Sequence, residues 1–476
     1  MLTRDQFQPL YDQGPDAVYV LLVAMQQQID ALTARVAELE ARLSKDSHNS
    51  SKPPSSDPPG PKPVSLRQKT GKPSGGQKGH PGTTLSFVET PDQVLWHRPE
   101  VCTGCGHSLT HTQEAEVERR QVFDLPPLCL FVTEHRAACC VCPLCQTKNQ
   151  ATFPQTVSHP VQYGAGVLSL GVYLMHYQLL PYARTRQLFL DLFGHAPSEG
   201  TLATALSTGH TTLAAVEEAI KAGVTKAGVV HLDETSLRLQ KRLFWLHVSS
   251  TPHLTFYAPH QKRGREALNE IGLLPHLRGT RVHDAWPAYL SYSGRFALCN
   301  AHLLRELIGL YEQTKQSWTQ RLLTLLLTLK HAKEKAQTRG QRALPAALLK
   351  RFVGVYDQIV ARALKQNPPP EPTKRVGRPK NSEARNLLER LHKHPQAVLC
   401  FALDFGVPFD NNLAERDLRM VKVRQKVSGC FRSEDGLKQF CRIRGYLSTL
   451  RKQGQPILAA LQSVFAGNPV YPNVYA

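Results

Sequence analysis

The order of predicted strands between residues 227 and 299 is the feature that most constrains the fold. The apolar run AGVVHLD predicts a central strand that ends at Asp233, and RLFWLHVSS and HLTFYAP predict two further strands joined by a hairpin. A helix is expected near residues 264–272, followed by a short strand that ends at Asp284 and a fifth strand at RFALC. The chain therefore predicts an α/β sheet with acids at the ends of its first and fourth strands.

Three strands, a helix and two more strands, with acids at these positions, is the order of a ribonuclease-H-like sheet. A third acid, Glu415, stands far downstream at the start of a basic helix. A single carboxylate at a strand end is usually a cap or an ion-pair partner, but three in this order indicate one site. Glu234, Asp404 and Asp410 are competing candidates. Glu234 should point to the opposite face of its strand from Asp233, and Asp410 is better placed to cap the downstream helix.

Carboxylates are the side chains that phosphodiester chemistry needs at such a site. Two Mg²⁺ ions about 3.5–4 Å apart can activate a nucleophile and stabilise the attacking and leaving oxygens, and such ions prefer oxygen ligands. In this arrangement Asp233 would bridge the two ions, and Asp284 and Glu415 would each complete one. Mn²⁺ is an alternative ion.

The helix that begins near Glu415 also carries a row of cations. These are Arg416, Arg419, Lys422, Arg424 and Lys426. Such a face is usually only solvated, but beside an active-site acid it is better suited to bind substrate phosphates.

The net charge indicates a polyanionic partner. The chain holds 58 Lys and Arg against 38 Asp and Glu, a formal charge of +20. An anionic membrane surface also fits the charge, but the apolar runs Ala17–Met25 and Leu322–Leu329 are far shorter than the ~18–20 residues that span a bilayer. The first residues do not resemble a signal peptide, so we expect a cytoplasmic protein without membrane insertion.

Between Asp284 and Glu415 lie more residues than the bare fold needs. The stretch from about residue 305 to 400 begins with Leu-, Ala- and Lys-rich sequence of helical spacing, which predicts an inserted helical domain. The segment PPPEPTKRVGRPKN interrupts it. Its Gly377-Arg378-Pro379 core is typical of a minor-groove hook, in which Arg378 enters the narrow groove of A·T tracts; a solvated basic loop is the alternative.

Seven of the eleven cysteines fall between Cys102 and Cys145. The pairs Cys102/Cys105 and Cys142/Cys145 have the spacing of two knuckles that place four thiolates on one structural Zn²⁺. The 36 residues between the pairs predict an inserted β-ribbon, for which VFDLPPLCLFVTEHRAACC supplies strand-like sequence. A redox role is the weaker alternative. Clustered cysteines in a large basic chain also indicate a reducing compartment.

Residues 18–43 carry an unbroken heptad pattern. Its two core rows are Leu22, Ile29, Val36 and Leu43, and Val18, Met25, Leu32 and Leu39. Ile and Val in the first row with Leu in the second favour a parallel dimer; an amphipathic helix that packs on its own domain is the alternative.

The composition changes abruptly at residues 44–84, with 22 Pro, Ser or Gly and seven Lys or Arg among 41 residues. This composition predicts a flexible basic tether.

Residues 163–220 predict helices. The stretch Thr185–Phe193, a turn at Gly194-His195-Ala196 and Ser198 as the N-cap of the next helix fit a helix-turn-helix. They fit a plain helical hairpin equally well.

The chain also resembles a known family over nearly its whole length. The motifs are SSKPPSSD (50–57), GGQKGHPGTTL (75–85), the two knuckles, HLDET (231–235), HDAWPAY (283–289), CNAHLLREL (299–307), DNNLAER (410–416) and SGCFRSEDG (428–436). Together they resemble transposases of the insertion sequence sixty-six family, a bacterial group with a DDE catalytic triad. The resemblance implies that Asp233, Asp284 and Glu415 are the triad. Many relatives have an aromatic and two basic residues around His302, which leaves a role for His302 open here.

The resemblance and the residues together predict a bacterial, nucleoid-associated DNA transposase. It would bind the ends of an insertion sequence, cleave them, and join the 3′-hydroxyl ends to target DNA by two-metal in-line transesterification. A homodimer is expected, and the participation of accessory proteins stays open. The alternatives are a non-catalytic, zinc-containing DNA-binding regulator and a metal-dependent nuclease without strand transfer.

The predicted segments are a coiled-coil zipper (1–45), a disordered basic linker (46–90), a zinc-binding domain (91–155), a helical DNA-binding region (160–225) and a ribonuclease-H-like catalytic domain (226–465) with its insertion at about 305–400.

Overall fold

The computed structural model of the chain describes residues 4–46, 48–50, 85–113, 115, 117–370 and 381–474. Most of the predicted basic linker and the predicted minor-groove hook around Arg378 lie outside the described residues. Within the described ranges the chain is a mixed α/β structure with many helices and a five-stranded mixed sheet.

The α-helices and strands are named in chain order. They are α1 (Arg4–Tyr11), α2 (Pro15–Leu43), β1 (Cys139–Val141), β2 (Lys148–Gln150), α3 (Ala165–Val172), α4 (Tyr182–Phe193), α5 (Glu199–Thr212), α6 (Ala214–Lys226), β3 (Val229–Leu239), β4 (Arg242–Ser250), β5 (Thr255–His260), α7 (Arg265–Ile271), β6 (Thr280–His283), α8 (Pro287–Leu290), β7 (Phe296–Leu298), α9 (Asn300–Thr314), α10 (Ser317–Thr338), α11 (Ala346–Gln366), α12 (Glu383–Lys393), α13 (Pro395–Leu403), α14 (Asn412–Ser428), α15 (Glu434–Lys452) and α16 (Ile457–Phe465). A π-helical turn, Tyr173–Tyr177, follows α3, and a 3₁₀ turn, Leu274–His276, precedes β6.

The central sheet has the strand order β5-β4-β3-β6-β7. Strand β4 runs antiparallel to both of its neighbours, β3 and β5, whereas β3, β6 and β7 run parallel to one another. Helix α7 lies between β5 and β6 in the chain, so the five strands and the helix follow the predicted order. The parallel strands β3 and β6 point their carboxyl ends to the same edge of the sheet.

Strand β3 extends beyond the predicted end at Asp233. It continues to Leu239 because it pairs along its whole length with β4, from His231↔Ser250 to Leu239↔Arg242. The two-residue turn between these strands has positive φ at both positions, Gln240 and Lys241, as tight hairpins require.

One hydrophobic core joins the sheet to the helices on both sides of it in the chain. Val216 of α6, Leu232 of β3, Phe256 of β5, Ile443 of α15 and Leu461 of α16 all belong to it. The helices predicted for 160–225 therefore do not form a separate unit, because their apolar faces are buried against the sheet. The exposed positions of α5 carry Glu, Gly, Ala, Ser and Thr and no Lys or Arg, unlike a helix that binds DNA phosphates.

The insertion between β7 and α14 is entirely helical in its described residues and has a core of its own. Helices α9 to α13 bury Leu307, Leu326, Tyr356, Leu388 and Phe401 together. The end of β3, with Leu237 and Leu239, packs instead on α14 and α15. The sheet thus contributes to the core that it shares with α6, α15 and α16, and also to the core of the insertion helices. Helix α14, which carries Glu415, lies against β3.

The N-terminal helix α2 leaves its heptad positions open to solvent. Ile29 is 53% exposed and Leu32 is 66% exposed, and the other heptad side chains are exposed as well, except the half-buried Val18. Helix α2 runs unbroken through the whole heptad pattern. Among the described helices, none combines the length and the apolar character that crossing a bilayer requires.

Residues 85–160 form an extended, mostly exposed arm. Its described residues contain the short ribbon of β1 and β2 around the second cysteine pair. The strand-like run before Cys139 forms no strand, so the predicted β-ribbon insertion between the two cysteine pairs is absent from the described residues.

Candidate active site

Asp233 and Asp284 lie near the point where the pairing of β3 with β6 ends, and the Asp284 charge acts on Asp233. The pairing of β3 with β6 ends at His231↔Val282, and Asp233 lies two residues further along β3. Asp284 follows the last residue of β6. Helix α14 carries the third acid, Glu415. Its negative charge raises the pKa of Asp233, so it lies in the same neighbourhood.

Burial raises the pKa of Asp233 well above its usual range. The negative charges of Glu234, Asp284 and Glu415 raise it further, and a hydrogen bond from the Glu234 amide to Asp233 Oδ1 (2.8 Å) opposes them only in part. Without a cation, the charges of Asp284 and Glu415 therefore disfavour the ionised form of the buried Asp233 carboxyl.

Asp284 sits at the start of a strained turn. Ala285 has φ +69°, in the left-handed region that residues with a side chain rarely adopt. The turn is held by hydrogen bonds from the Trp286 amide to Asp284 Oδ1 (3.1 Å) and from the Ala285 amide to His283 Nδ1 (3.2 Å). Such strain persists only where the surrounding contacts impose it.

Glu234 braces this turn and is not part of the acid cluster. Its side chain is 2% exposed, and its carboxylate accepts Tyr289 Oη (2.5 Å) and Arg263 Nε (2.9 Å). The Arg263 guanidinium lies 4.4 Å from the ring centre of Trp286 and 4.7 Å from that of Trp245. Glu234 is thereby neutralised, and it holds the segment that follows Asp284 through two separate contacts.

Asn411 fastens the start of α14 to the sheet. Its side-chain amide donates to the Leu232 carbonyl (2.8 Å), its side-chain oxygen pairs with His231 Nδ1 (2.9 Å), and its backbone amide donates to Cys299 Sγ (3.1 Å). The residue is 1% exposed. Because Leu232 precedes Asp233, Asn411 ties α14 to the backbone that carries the first acid.

Cys299 and His302 complete the pocket around Glu415. The ligand atoms of these three residues lie within 4.8 Å of one another, and His302 Nε2 is 3.7 Å from Glu415 Oε1. Burial raises the pKa of the Cys299 thiol to about 12 and lowers the pKa of His302. Both groups are therefore neutral at pH 7 when no cation is bound, and Cys299 Sγ accepts the Asn411 amide.

The other two competing acids lie in structural roles. Asp404 pairs with Arg295 (2.9 Å) and accepts the Gly406 amide at the end of α13. Asp410 accepts the amide of Asn412, the first residue of α14, at 3.1 Å, which is a capping contact.

The three acids offer the oxygen ligands that divalent cations take, but in the described residues their carboxylate oxygens do not all lie within 4.8 Å of one another, as the ligand atoms of Glu415, Cys299 and His302 do. In the described part of the chain, neither Lys nor Arg forms an ion pair with Asp233, Asp284 or Glu415, and the buried Glu415 Oε1 has no hydrogen-bond partner. Glu234, one residue from Asp233, has the arginine partner that these three acids lack. Buried carboxylates without a cation are costly, and hard ions such as Mg²⁺ or Mn²⁺ take such oxygen ligands.

The cations of α14 divide between two faces. Arg419, Lys422 and Lys426 follow Glu415 at intervals of four, seven and eleven residues, so they share its face of the helix. Arg416 is also exposed. Lys422 Nζ is bound to the Ser236 carbonyl (2.6 Å), whereas Arg419 and Lys426 are exposed.

Arg424 lies on the opposite face of α14. Its guanidinium stacks over Phe431 at 4.0 Å and Phe440 at 5.3 Å, and burial lowers its pKa. A cation held between two rings of the core is not available to phosphates. Arg424 therefore packs in the fold in place of the predicted DNA contact.

The two cysteine pairs adopt the same backbone conformation. Cys102 N donates to His107 O (2.8 Å) and Gly106 N to Cys102 O (2.9 Å), and the same two bonds recur between Cys142, Gln146 and Thr147. Hydrogen bonds lower the pKa of Cys102, chiefly from the Gly104 backbone, and that of Cys145 to about 7, chiefly from the Thr147 hydroxyl. Each pair therefore has the local features of a knuckle.

The four predicted zinc ligands differ from the prediction in their arrangement. Cys105 and Cys145 are exposed, whereas Cys102 and Cys142 are partly buried. The thiol of Cys105 lies beside that of Cys102, to which it is hydrogen-bonded. In the described residues, however, no three of these four thiols lie within 4.8 Å of one another. The described residues of the arm are mostly exposed, and Cys105 meets its own knuckle partner there.

Two protein families match the sequence. The family described as Transposase IS66 family matches residues 160–439, and a family of unknown function (DUF6444) matches residues 10–86. No curated protein matches the chain. The first match covers more than half of the chain. The chain belongs to the Transposase IS66 family.

Membership in this transposase family implies that the protein binds and processes DNA. The matched range includes Asp233, Asp284, Glu415 and the whole central sheet. The cysteine pairs lie between the two matched ranges.

Sequence reasoning missed the residues that position the acids. Asn411 stands inside the motif DNNLAER, but nothing in that motif states that its side chain reaches a strand 179 residues away. From the sequence, Glu234 is only a competing candidate for a metal ligand. Its partners Arg263 and Tyr289 lie 29 and 55 residues further along the chain. A buried polar residue needs partners, and those partners are known only once the chain is folded.

Replacing Asp233 by Asn should stabilise the protein when no Mg²⁺ is added. A carboxyl whose folded pKa is raised loses folding free energy as the pH rises from its unfolded value, about 3.9, to the folded value, and that loss persists above it. We expect Asp233→Asn to raise the melting temperature at pH 7 by a few degrees, which ~1 kcal/mol produces in a domain of this size.

The difference should vanish near pH 3.5, where Asp233 is protonated in the folded state and largely protonated in the unfolded state. Asp404→Asn is the control, because it removes a paired carboxylate and should not raise the melting temperature. An Asp233→Asn protein that melts below wild type at pH 7 would contradict the repulsion.

Proposed function

We propose that the chain is a DDE transposase whose catalytic core is a ribonuclease-H-like sheet. The observation that carries the proposal is the convergence of Asp233, Asp284 and Glu415 with no neutralising Lys or Arg in the described residues. The strand order, with β6 and β7 parallel to β3, supports the fold assignment. The family membership supports action on DNA.

In the proposed activity the enzyme cleaves the ends of an insertion sequence and joins the freed 3′-hydroxyls to target DNA in line. Two Mg²⁺ ions, or Mn²⁺, held by Asp233, Asp284 and Glu415 would supply the charge stabilisation and nucleophile activation that this chemistry needs. Asn411 holds the Glu415 helix in register with Asp233, and Glu234 holds the Asp284 turn.

The exposed cations of α14 would bind the phosphates next to the scissile bond. Arg419 and Lys426 share the face of Glu415, and Arg416 lies beside them. Arg424 is left out of this set, and the contribution of Arg378 stays a prediction. The substrate is double-stranded DNA, and we place the enzyme in the bacterial cytoplasm, associated with the nucleoid.

We also propose that the two cysteine knuckles close on one structural zinc ion when it binds. The ligands would be Cys102 and Cys105 from the first knuckle and Cys142 and Cys145 from the second. Their matching backbone hydrogen bonds form the same tight turn in each pair, as zinc knuckles do. The hydrogen bonds that lower the pKa of Cys102 and Cys145 favour the thiolate form that zinc takes.

We further propose that α2 forms a parallel two-stranded zipper. A row of exposed apolar side chains along 29 residues of helix is costly in water and is covered when two copies pair. Dimerisation would place two active sites in one particle, as the joining of two DNA ends requires.

Asp233→Asn, Asp284→Asn and Glu415→Gln should each abolish cleavage of the element's ends. These changes keep the size of the side chain and remove the charge that holds the cations, so we expect a loss of at least ~10³-fold. A binding assay on the same DNA should show an affinity close to wild type. Asp410→Asn is the matched control, since its capping contact survives and activity should stay within a few-fold of wild type.

The same assay separates the alternative functions. Near-wild-type cleavage by one of the three variants would remove that residue from the triad. Binding without metal-dependent cleavage by the wild type would support a non-catalytic regulator, and cleavage without joining would support a nuclease.

Elemental analysis of the purified protein should find about one zinc per chain. Cys102→Ser and Cys105→Ser should each release it and expose the region around residues 100–150 to proteases, because structural zinc contributes directly to folding. Cys129→Ser is the control, an exposed cysteine outside both knuckles. A folded protein without zinc would refute the site.

Sedimentation should show a dimer at micromolar concentration, and Ile29→Asp should convert it to a monomer. A carboxylate at a zipper core position loses its hydration without gaining a partner. Gln27→Asp adds the same charge off the heptad core and should leave the dimer intact. Residues 1–45 alone should also dimerise. If the wild type is a monomer, α2 covers its apolar face in another way.

A further inference from the structure

A compact turn connects the end of α2 to the insertion helices. This docking turn consists of residues 44–46 and 48–50. Asp46 Oδ1 accepts the amides of His48 (2.7 Å) and Asn49 (3.2 Å), and Asn49 Oδ1 accepts the amide of Asp46 (2.9 Å). Two side chains thus hold the backbone in one conformation without the help of a helix or strand.

The docking turn meets α9 at Gly309. A Cβ atom at this position would overlap the backbone oxygen of Asn49 and lie 3.3 Å from its carbonyl carbon. A side chain cannot occupy that space, because the opposing atoms belong to the backbone and not to a flexible side chain. Glycine is unfavourable inside a helix, and the close approach gives a physical reason for it in the middle of α9.

Polar contacts to two insertion helices surround this approach. Asn49 Nδ2 donates to Glu312 Oε2 of α9 (2.9 Å), and His48 Nε2 lies 4.0 Å from Glu312 Oε1. Lys45 Nζ pairs with Glu383 Oε1 of α12 at 2.6 Å. Surface pairs of this kind contribute little one by one. Their specificity comes from the fixed turn and from the fit at Gly309.

We propose that the docking turn is an assembly element of the transposase. It fastens α2 to the insertion helices, so that pairing of two α2 helices sets the separation of two active sites and brings two DNA ends together. The inference rests on the proposed zipper and the proposed catalytic function. It gives a role to residues 44–50, which lie in the range matched by a family of unknown function.

The position of the docking site supports this role. Helix α9 begins directly after Cys299 and carries His302, so the anchor lies on the same helix as one wall of the active site. The turn itself follows Leu43, the last heptad position. The proposed zipper and the acid cluster are therefore connected through one short turn and one helix.

Gly309→Ala tests the docking directly in the full-length protein. The added methyl group should displace the turn and raise the hydrogen-exchange rate of the Asn49 side-chain amide, which donates to Glu312 of α9, at least tenfold. Helix α9 should stay folded, because alanine is the better helix former. Gly354→Ala in α11 is the matched control, since a Cβ there has no atom within 4 Å and exchange at the turn should not change.

The functional arm compares single-end and paired-end substrates. Gly309→Ala should remain a dimer and cleave a single end within about twofold of wild type, while products that join two ends fall about tenfold. Gly354→Ala should match wild type on both substrates. Unchanged exchange at the turn, or unchanged paired-end joining despite faster exchange, would overturn the assembly role.

Failure of the proposed function would look different. A wild-type protein that is monomeric or does not cleave overturns the zipper or the catalytic proposal, and the assembly role falls with it. The exchange measurement needs neither DNA nor Mg²⁺, so it reports whether the turn is docked in either case.

Discussion

The side chain of Asn411 is the contact on which the active site depends. The negative charges of Asp284 and Glu415 act on the buried Asp233, whose pKa is raised. Helix α14 would therefore tend to move Glu415 away from the sheet. The buried amide of Asn411 opposes this by bonding the Leu232 backbone and His231, while Cys299 accepts its amide. An unsatisfied buried amide is costly, so these partners define one position for the start of α14.

A second set of contacts holds the other acid. Asp284 precedes a residue with positive φ, and this strain is sustained by the bonds from Tyr289 and Arg263 to Glu234. The structure thus uses adjacent carboxylates for opposite purposes. Glu234 is neutralised by an arginine and stabilises the fold, whereas Asp233 has no such partner among the described residues and is left for a cation. Placement on opposite faces of β3 allows the difference.

Local patterns are sufficient to predict most elements but not their limits or their neighbours. The period of the apolar residues predicts α2 and the strands of the sheet, and Ser198 predicts the start of α5, where it does accept the Thr201 amide. The predicted end of β3 at Asp233 is wrong because pairing with β4 extends the strand. The basic neighbours of Arg424 predict a DNA-binding role for it, but the rings of Phe431 and Phe440 enclose it.

The sequence by itself predicted the strand order and the heptad pattern of α2, and it singled out the three acids as candidates. Each of these is written in residue type and spacing within a short stretch of chain, where local geometry acts. Only the tertiary structure decided that Asn411 and Glu234 position the acids, that helices 160–225 share the core of the sheet, and that a turn after α2 docks on Gly309. These features join residues far apart in the chain. Burial and hydrogen-bond geometry in the folded state select such contacts, and no local pattern encodes them.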